Sequence, residues 1–304
     1  MTDRRRSLLI FLGLVAAVAL LPDLLPFAPP EQPDLLRRNL APFASATPAG
    51  EGSSVVRPWL GTDDAGRCLL SRLVHGARIS LAAALGGGLV CLVIGCLVGM
   101  YAGWRGGRVD AFLMRAVDAA DALPTVACVV LAQAWIRAAG GPLAGGGART
   151  AALFAVLGGA TWFMTARLVR AKTRWLARRE FVEAALASGV RPSRVLRRHI
   201  WPNLGAVVAA SAAATVPRLV LFEAFLSFLG LGVEPPRVSL GALARQGFEA
   251  FSSVSPRFAP LLLPCAALAL VGAATARAAR LLDRDEKDAT PVEAGRDAVP
   301  AAIA

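Results

Sequence analysis

The sequence is short of the residue types from which catalytic and metal sites are usually built. Its 304 residues include two histidines, His75 and His199, and one tyrosine, which leaves little for a metal cluster or an acid–base pair. The five cysteines form no Cys-x-x-Cys pair, so we expect neither a zinc site nor a disulfide framework. No Gly-x4-Gly-Lys-Ser/Thr phosphate loop occurs. We therefore expect no catalytic residues, no metal and no cofactor.

Charged residues are also scarce, at 18% of the chain, whereas 56% of the residues are hydrophobic. This balance indicates a lipid bilayer rather than a water-facing fold. The formal net charge of +12 would suggest a nucleic-acid partner in a soluble protein. Here the lysines and arginines gather in the connections between apolar segments, and no run of basic and aromatic residues offers base stacking. We expect no nucleic-acid partner.

Six segments are long and apolar enough to cross a hydrocarbon core, which needs roughly 20 residues each. They are residues 8–28, 79–103, 119–139, 150–169, 203–231 and 260–279. The first is the weakest because Asp23 and several prolines interrupt it. Three arginines precede it as in a signal peptide, but the nearest small-residue cleavage pattern lies too far downstream, which favours a retained helix. The sequence predicts an all-α integral membrane protein with six transmembrane helices.

The distribution of cations predicts the orientation of these helices. With a cytoplasmic N-terminus, the inner segments hold 20 lysines and arginines and the outer segments hold 11. This bias favours cytoplasmic N- and C-termini. Arg67, Arg72 and Arg78 run against it, but a long outer connection is translocated with less regard to charge.

Composition divides the chain into three parts. Residues 1–78 hold the first membrane helix, a Pro-rich outer segment and an amphipathic helix at the outer interface. Residues 79–282 form the membrane core, which includes a highly basic cytoplasmic loop over residues 172–202. The tail, residues 283–304, is polar and then rich in Ala and Pro, so it is predicted to be disordered.

The basic loop has the pattern of two short helices joined at a glycine. Residues 178–188 form the first helix and residues 192–202 the second. Gly189 suits a left-handed helix stop, and Pro192 suits the first turn of the next helix. A bent helix pair on the ends of two membrane helices is a rigid lever, because a push on it moves both spans.

Within this loop, Glu183-Ala184-Ala185 is followed by three residues, Gly189, nine residues and an apolar cluster that ends at Pro202. This spacing resembles the cytoplasmic signature of the permease subunits of binding-protein-dependent ABC importers. The stretches at residues 61–80, 101–118 and 226–236 extend the resemblance to the second, C-type permease of the dipeptide, oligopeptide and nickel subgroup.

The resemblance covers about residues 57–282. It departs at Cys68, where the family usually has Asp, at residues 238–240, where a Trp is expected, and in the tail, which lacks the usual Leu-Arg-Asp ending. These departures bear on the substrate more than on the class of transporter.

The resemblance implies a type I ABC importer transmembrane domain in the bacterial cytoplasmic (inner) membrane, forming half of a pathway for peptides, nickel or other small solutes. The implied partners are a second homologous permease, two ATPase subunits that hydrolyse the ATP, an extracytoplasmic substrate-binding protein and membrane lipid. It also implies a set of ATPase-coupling residues. They are Glu180, Glu183, Ala184, Ala185, Gly189, His199 and Pro202.

Polar groups inside the predicted spans are a second set of candidates, because such groups usually face a bundle interior or an aqueous path. They are Asp121, Gln133, Arg218 and Glu223. Arg218 and Glu223 are five residues apart, a poor fit for a direct pair on one helix face. Lining of the pathway and structural pairing with another helix are both open for them. For Asp121, near the inner end of its span, interfacial solvation is favoured.

Two other classes of protein compete with the importer. A secondary transporter driven by an ion gradient would show paired broken helices in inverted halves, whereas the one specialised loop here has no counterpart. A membrane-embedded enzyme would need a nucleophile with its base or a metal cluster, and two well-separated histidines offer neither. A plain solvated connection would explain the charge of the basic loop but not its signature spacing.

Overall fold

The computed structural model describes residues 33–44, 59–139, 146–233, 237–251 and 258–288. These residues are mostly helical. The helices are α1 (Leu69–Arg105), α2 (Gly107–Asp121), α3 (Thr125–Ala139), α4 (Gly146–Gly159), α5 (Phe163–Leu176), α6 (Glu180–Ala187), α7 (Pro192–Val195), α8 (Trp201–Asn203), α9 (Gly205–Phe228), α10 (Leu240–Glu249) and α11 (Ala259–Asp288). The first predicted span, residues 8–28, lies outside the described residues.

Three helices are each long and apolar enough to cross a membrane, namely α1, α9 and the part of α11 from Ala259 to Arg277. They coincide with three of the predicted spans. Two further spans form only if each of two bent helix pairs counts as one. The helices α2 and α3 meet at 80°, and α4 and α5 meet at 51°. The described residues therefore hold three to five candidate spans.

The two bends correct the prediction of continuous spans over residues 119–139 and 150–169. The first bend lies before Thr125, where Pro124 has no N–H to donate and disfavours helical backbone at the residue before it. The second follows Gly159, where the Thr161 hydroxyl donates to the Leu157 carbonyl at 3.0 Å. Such back-bonding from threonine bends helices.

The start of α1 corrects a second prediction. The amphipathic stretch before residue 79 is not a separate interfacial helix but the first turns of α1, which runs unbroken for 37 residues. Within these turns Arg72 is only 3% exposed and pairs with Asp63 at 2.5 Å. Cys68, where the resembling family has Asp, occupies the N-cap of α1 without a side-chain capping bond.

The helices α1 and α5 pack closely along a row of glycines spaced four residues apart. A Cβ at Gly95 would lie 2.7 Å from Thr165 Cβ, and one at Gly103 would lie 2.6 Å from the Arg170 carbonyl oxygen. A Cβ at Gly99, between them, would overlap the carbonyl oxygen of Ala166. Small residues in such a row let two helix backbones approach each other.

Two apolar clusters hold the described helices together. The first joins α1, α3, α4, α9, α10 and α11, with Leu157, Leu219 and Leu240 fully buried in it. The second joins α1, α5 and the basic loop. Its buried members are Cys96, Val169, Leu176, Val182, Val195, Ile200 and Leu204.

The last helix is longer than expected. Because α11 continues to Asp288, residues 283–288 are helical, although the tail over residues 283–304 was predicted to be disordered. Residues 289–304 lie outside the described residues.

Candidate functional site

The first helix of the basic loop, α6, ends in a left-handed stop as predicted. Gly189 has φ +80°, and its N–H donates to the Leu186 carbonyl at 3.0 Å. The N–H of Val190 donates to the Ala185 carbonyl at 3.1 Å. These two bonds form a Schellman motif, in which glycine is favoured because it has no Cβ to clash. The motif fixes the angle at which the chain leaves α6.

The second half of the loop is less regular than the single helix predicted over residues 192–202. Pro192 opens α7 as expected, but residues Leu196–Ile200 form a π-helical segment, and α8 follows it. In that segment the Trp201 N–H donates to the Leu196 carbonyl, five residues back. Pro202 explains the change, because it cannot donate a bond to the preceding turn and its ring crowds the backbone there.

One side of this loop is anchored in the protein. Val182 of α6, Val195 of α7 and Ile200 are fully buried, and they lie in the second apolar cluster with Cys96 of α1 and Val169 of α5. Burial of such side chains stabilises the contact by about 1.5–3 kcal/mol each. The loop is therefore attached to membrane helices by its packing as well as by its two chain ends.

The other side of the loop is exposed, and it carries acidic and small side chains. Glu180, Glu183 and Ala184 are exposed, and Phe181 is 44% exposed. Both carboxylates lie in the first turn of α6, where negative charge is stabilised by the helix dipole. This face presents acidic and small side chains within an otherwise arginine-rich segment.

The seven predicted coupling residues divide between these two sides. Glu180, Glu183, Ala184, Gly189 and Pro202 are exposed, while Ala185 and His199 are half-buried. Ala185 packs against the second apolar cluster. The His199 ring lies 6.4 Å from the Phe181 ring, measured between centroids, so the two halves of the loop meet there.

Among the predicted polar residues of the spans, Glu223 is fully buried. Its Oε1 accepts a hydrogen bond from the Ser227 hydroxyl at 2.6 Å, and Ser80 and Ser239 interact with the same carboxyl group. Ser80 also accepts from the Leu240 N–H at 3.2 Å. Glu223 thus belongs to a polar cluster that ties α1, α9 and α10 together.

The remaining polar candidates lie in different surroundings. Arg218 is exposed, so it does not share the buried environment of Glu223, and Gln133 is buried. Asp121 is exposed, and its Oδ2 accepts from Arg167 at 2.8 Å. Arg167 also donates to Asp118 at 2.9 Å, which links α2 to α5.

Sequence reasoning missed two buried carboxylates. Asp110 of α2 is 4% exposed and accepts two bonds from Arg170 of α5. Asp63 accepts from Arg67 at 2.8 Å and from Arg72, which in turn donates to Gln246 at 2.8 Å. The regular spacing of arginines along α5 was a signal for the first pair. The second is partly local, because Asp63 and Arg67 are four residues apart. The contact of Arg72 with Gln246, 174 residues away, has no signal in the sequence.

Known proteins resemble this chain over most of its length. The family described as "Binding-protein-dependent transport system inner membrane component" matches residues 95–288. The oligopeptide transport system permease protein OppC of Haemophilus influenzae is 38% identical over 212 residues, which are 70% of this chain and 63% of that protein. The dipeptide transport system permease protein DppC of Bacillus subtilis is 32% identical over 81% of this chain and 69% of its own length.

The match to the Escherichia coli OppC protein, 37% identical, likewise covers 62% of that relative, so the chain spans less than two thirds of the length of both OppC proteins. Among solved structures, the inward-facing MetNI methionine ABC transporter contains a chain that matches with a TM-score of 0.54 at 20% identity. The match covers 72% of this chain and 97% of that one. It shows a common fold of the membrane helices.

Proposed function

Because the chain belongs to the family of binding-protein-dependent transport system inner membrane components, we propose that it is a permease subunit that forms half of the translocation pathway of an ATP-driven importer. In this function it hydrolyses no ATP itself. The pathway is completed by a second homologous permease, two ATPase subunits supply the energy, and an extracytoplasmic binding protein delivers the solute. The chain crosses the inner membrane six times, with both termini in the cytoplasm.

The cargo that we propose is a peptide. The two groups of relatives at 32–38% identity are named as oligopeptide and dipeptide permeases, and the resemblance seen in the sequence points to the same subgroup. Nickel or another small solute is the second candidate, because Cys68 and residues 238–240 depart from the pattern of that subgroup.

The observation that carries the proposal is the two-sided basic loop. Its inner side is buried with α1 and α5 in the second apolar cluster, and its outer side exposes Glu180, Glu183 and Ala184. We infer that the segment from Glu180 to Gly189 docks in a groove of an ATPase subunit. Glu183 pairs with a basic group there, and the small side chain of Ala184 permits close approach. Closure of the ATPases then moves α1 and α5, which alternates access to the pathway.

The substitution Glu183→Arg tests this docking. It reverses the charge of an exposed side chain, so the protein is expected to insert in the membrane normally but to lose its ATPase subunits in a pull-down. Glu249→Arg, at an exposed glutamate outside the loop, is the matched control and is expected to keep them. Retention of the ATPases by Glu183→Arg would refute the docking role.

The two bent helix pairs are the feature that an ion-gradient transporter, the alternative to the ATP-driven importer, would share. The bends lie next to each other in the chain, between α2 and α3 and between α4 and α5, whereas that class places broken helices at corresponding positions of two inverted halves. Family membership favours the ATP-driven importer.

A further inference from the structure

A groove rich in arginine lies where α5 runs into the basic loop. Its volume is about 510 Å³. Four of its six lining residues are arginines. The lining, which we name the arginine groove, is Arg170, Ala171, Arg174, Trp175, Arg178 and Arg179.

Two cations lie over the ring of Trp175, which lines the groove. The Arg179 guanidinium lies 3.7 Å from the centroid of the Trp175 ring, and the Lys172 ammonium lies 4.2 Å from it. Cation–π contacts of this kind attract a cation to the face of the ring. Trp175 is 39% exposed, so its ring remains accessible from the groove.

One buried carboxylate, that of Asp110, contacts two arginines of the groove. Asp110 accepts from Arg170 Nη2 at 2.6 Å and lies 3.5 Å from Arg174 Nη1. Two arginines thus share one negative charge. Arg178, on the following turn, is exposed. The groove has the charge and the fork-shaped donors that bind a phosphate group.

The exposed face of α5 places the groove at the membrane surface. Met164 and Leu168 are 57% and 42% exposed, and they share a face of α5 with Trp175 by their spacing of four and seven residues. Arg178 lies in the turn that follows α5. Along the chain, these exposed apolar side chains come first, and Lys172, Trp175 and Arg178 follow them. That order matches the passage from hydrocarbon to the charged and aromatic cytoplasmic interface.

We propose that the arginine groove binds the headgroup phosphate of an anionic phospholipid in the cytoplasmic leaflet. The guanidinium groups of Arg174 and Arg178 hold the phosphate, Trp175 lies at headgroup depth, and the acyl chains follow Met164 and Leu168. The apolar face of α5 distinguishes a lipid from a free anion, because only a lipid occupies both surfaces. This site depends on the membrane location of α5 but not on the cargo of the transporter. A lipid bound there would stabilise the turn that precedes α6.

Native mass spectrometry of the full chain in detergent, titrated with phosphatidylglycerol or phosphatidylcholine, tests the proposal. We expect wild-type protein to retain phosphatidylglycerol preferentially. The double variant Arg174→Gln/Arg178→Gln is expected to bind phosphatidylglycerol at least about tenfold more weakly, since each Lys or Arg near an anionic lipid surface strengthens the binding to that surface. Arg178→Gln alone, which leaves the contacts of Asp110 intact, is expected to show part of this loss.

The matched control is Arg108→Gln/Arg115→Gln, which removes two exposed cations of α2 outside the groove. It is expected to weaken binding less than threefold or so. Equal losses in both double variants would mean that the attraction is general and would overturn the site. Equal retention of the two lipids would also overturn it. Complete displacement of phosphatidylglycerol by millimolar inorganic phosphate would assign the groove to a free anion instead of a lipid.

Discussion

Glu223 is a carboxyl group with no exposed surface in the middle of a membrane helix. Intramembrane charges of this kind either serve a pathway or pair within the bundle. The bond from Ser227 at 2.6 Å and the neighbouring serines of α1 and α10 favour pairing within the bundle. Arg218, the other charge of α9, is exposed and stays a candidate for the pathway or for contact with the companion permease.

We expect Glu223→Gln to be tolerated and Glu223→Leu to lower the free energy of unfolding by about 1–3 kcal/mol. Glutamine keeps an acceptor for the Ser227 hydroxyl, whereas leucine leaves buried hydroxyl groups without their partner. The midpoint of thermal unfolding in detergent measures the effect, with Arg218→Gln as an exposed control in the same helix. A Glu223→Leu protein with an unchanged midpoint but no transport would assign Glu223 to the pathway.

Asp63 and Arg72 show why some single residues escape sequence reasoning. The three arginines before the second predicted span looked like a violation of the charge bias across the membrane. In the structure, Arg67 and Arg72 both donate to Asp63, so part of that positive charge is neutralised locally. The count of cations therefore includes side chains that the fold has paired, so this stretch opposes the predicted orientation by less than its formal charge suggests.

At the scale of helices, the contact between α1 and α5 depends on glycine. A Cβ at Gly99 would overlap the Ala166 carbonyl oxygen, whereas a Cβ at Gly88 of the same helix would lie 3.7 Å from its nearest neighbour. The two positions are buried in one helix, so they form a matched pair. Comparing alanine at the two positions separates the effect of steric crowding from the general effect of replacing a helical glycine.

We expect Gly99→Ala to destabilise the protein by about 1–3 kcal/mol, since extra volume forces two closely packed backbones apart. Gly88→Ala is expected to be neutral or slightly stabilising, because alanine favours helix over glycine by about 1 kcal/mol. Thermal unfolding of both variants in the same detergent gives the comparison. Equal midpoints would show that α1 and α5 do not rely on close backbone approach.

The basic loop is the element for which local sequence was most informative. Its helix stop at Gly189 and its restart at Pro192 follow from the backbone freedom of glycine and the fixed φ of proline, and both are confirmed. The π-helical segment was missed. Pro202 made a disturbance of the helix predictable, and the segment that it disturbs is held by Val195 and Ile200, which are buried in the second apolar cluster.

For the whole molecule, the orientation in the membrane decides whether an ATPase can reach the loop. We expect Ser193→Cys to be protected from a membrane-impermeant maleimide in intact cells and Asp64→Cys to react. Both positions are exposed, and the charge bias puts them on opposite sides of the membrane. The background carries serine at Cys68, Cys128 and Cys265, the cysteines that are not buried.

Permeabilised cells supply the control for this labelling, because Ser193→Cys should then react as well. Reaction of Ser193→Cys in intact cells would place the loop outside the cell, beyond the reach of a nucleotide-driven partner. The coupling role proposed for Glu183 would fall with it.

The sequence by itself determined the membrane class, three of the six span positions, the glycine-centred loop and the family, which the match over residues 95–288 confirms. These properties are local, because hydropathy, backbone preference and motif spacing are carried by neighbouring residues. Only the tertiary structure decided the burial of Glu223 and the pairing of Asp110 with Arg170 across 60 residues. A charged side chain is buried or solvated according to which side chains of other helices pack against it. That packing joins segments that are distant in the chain.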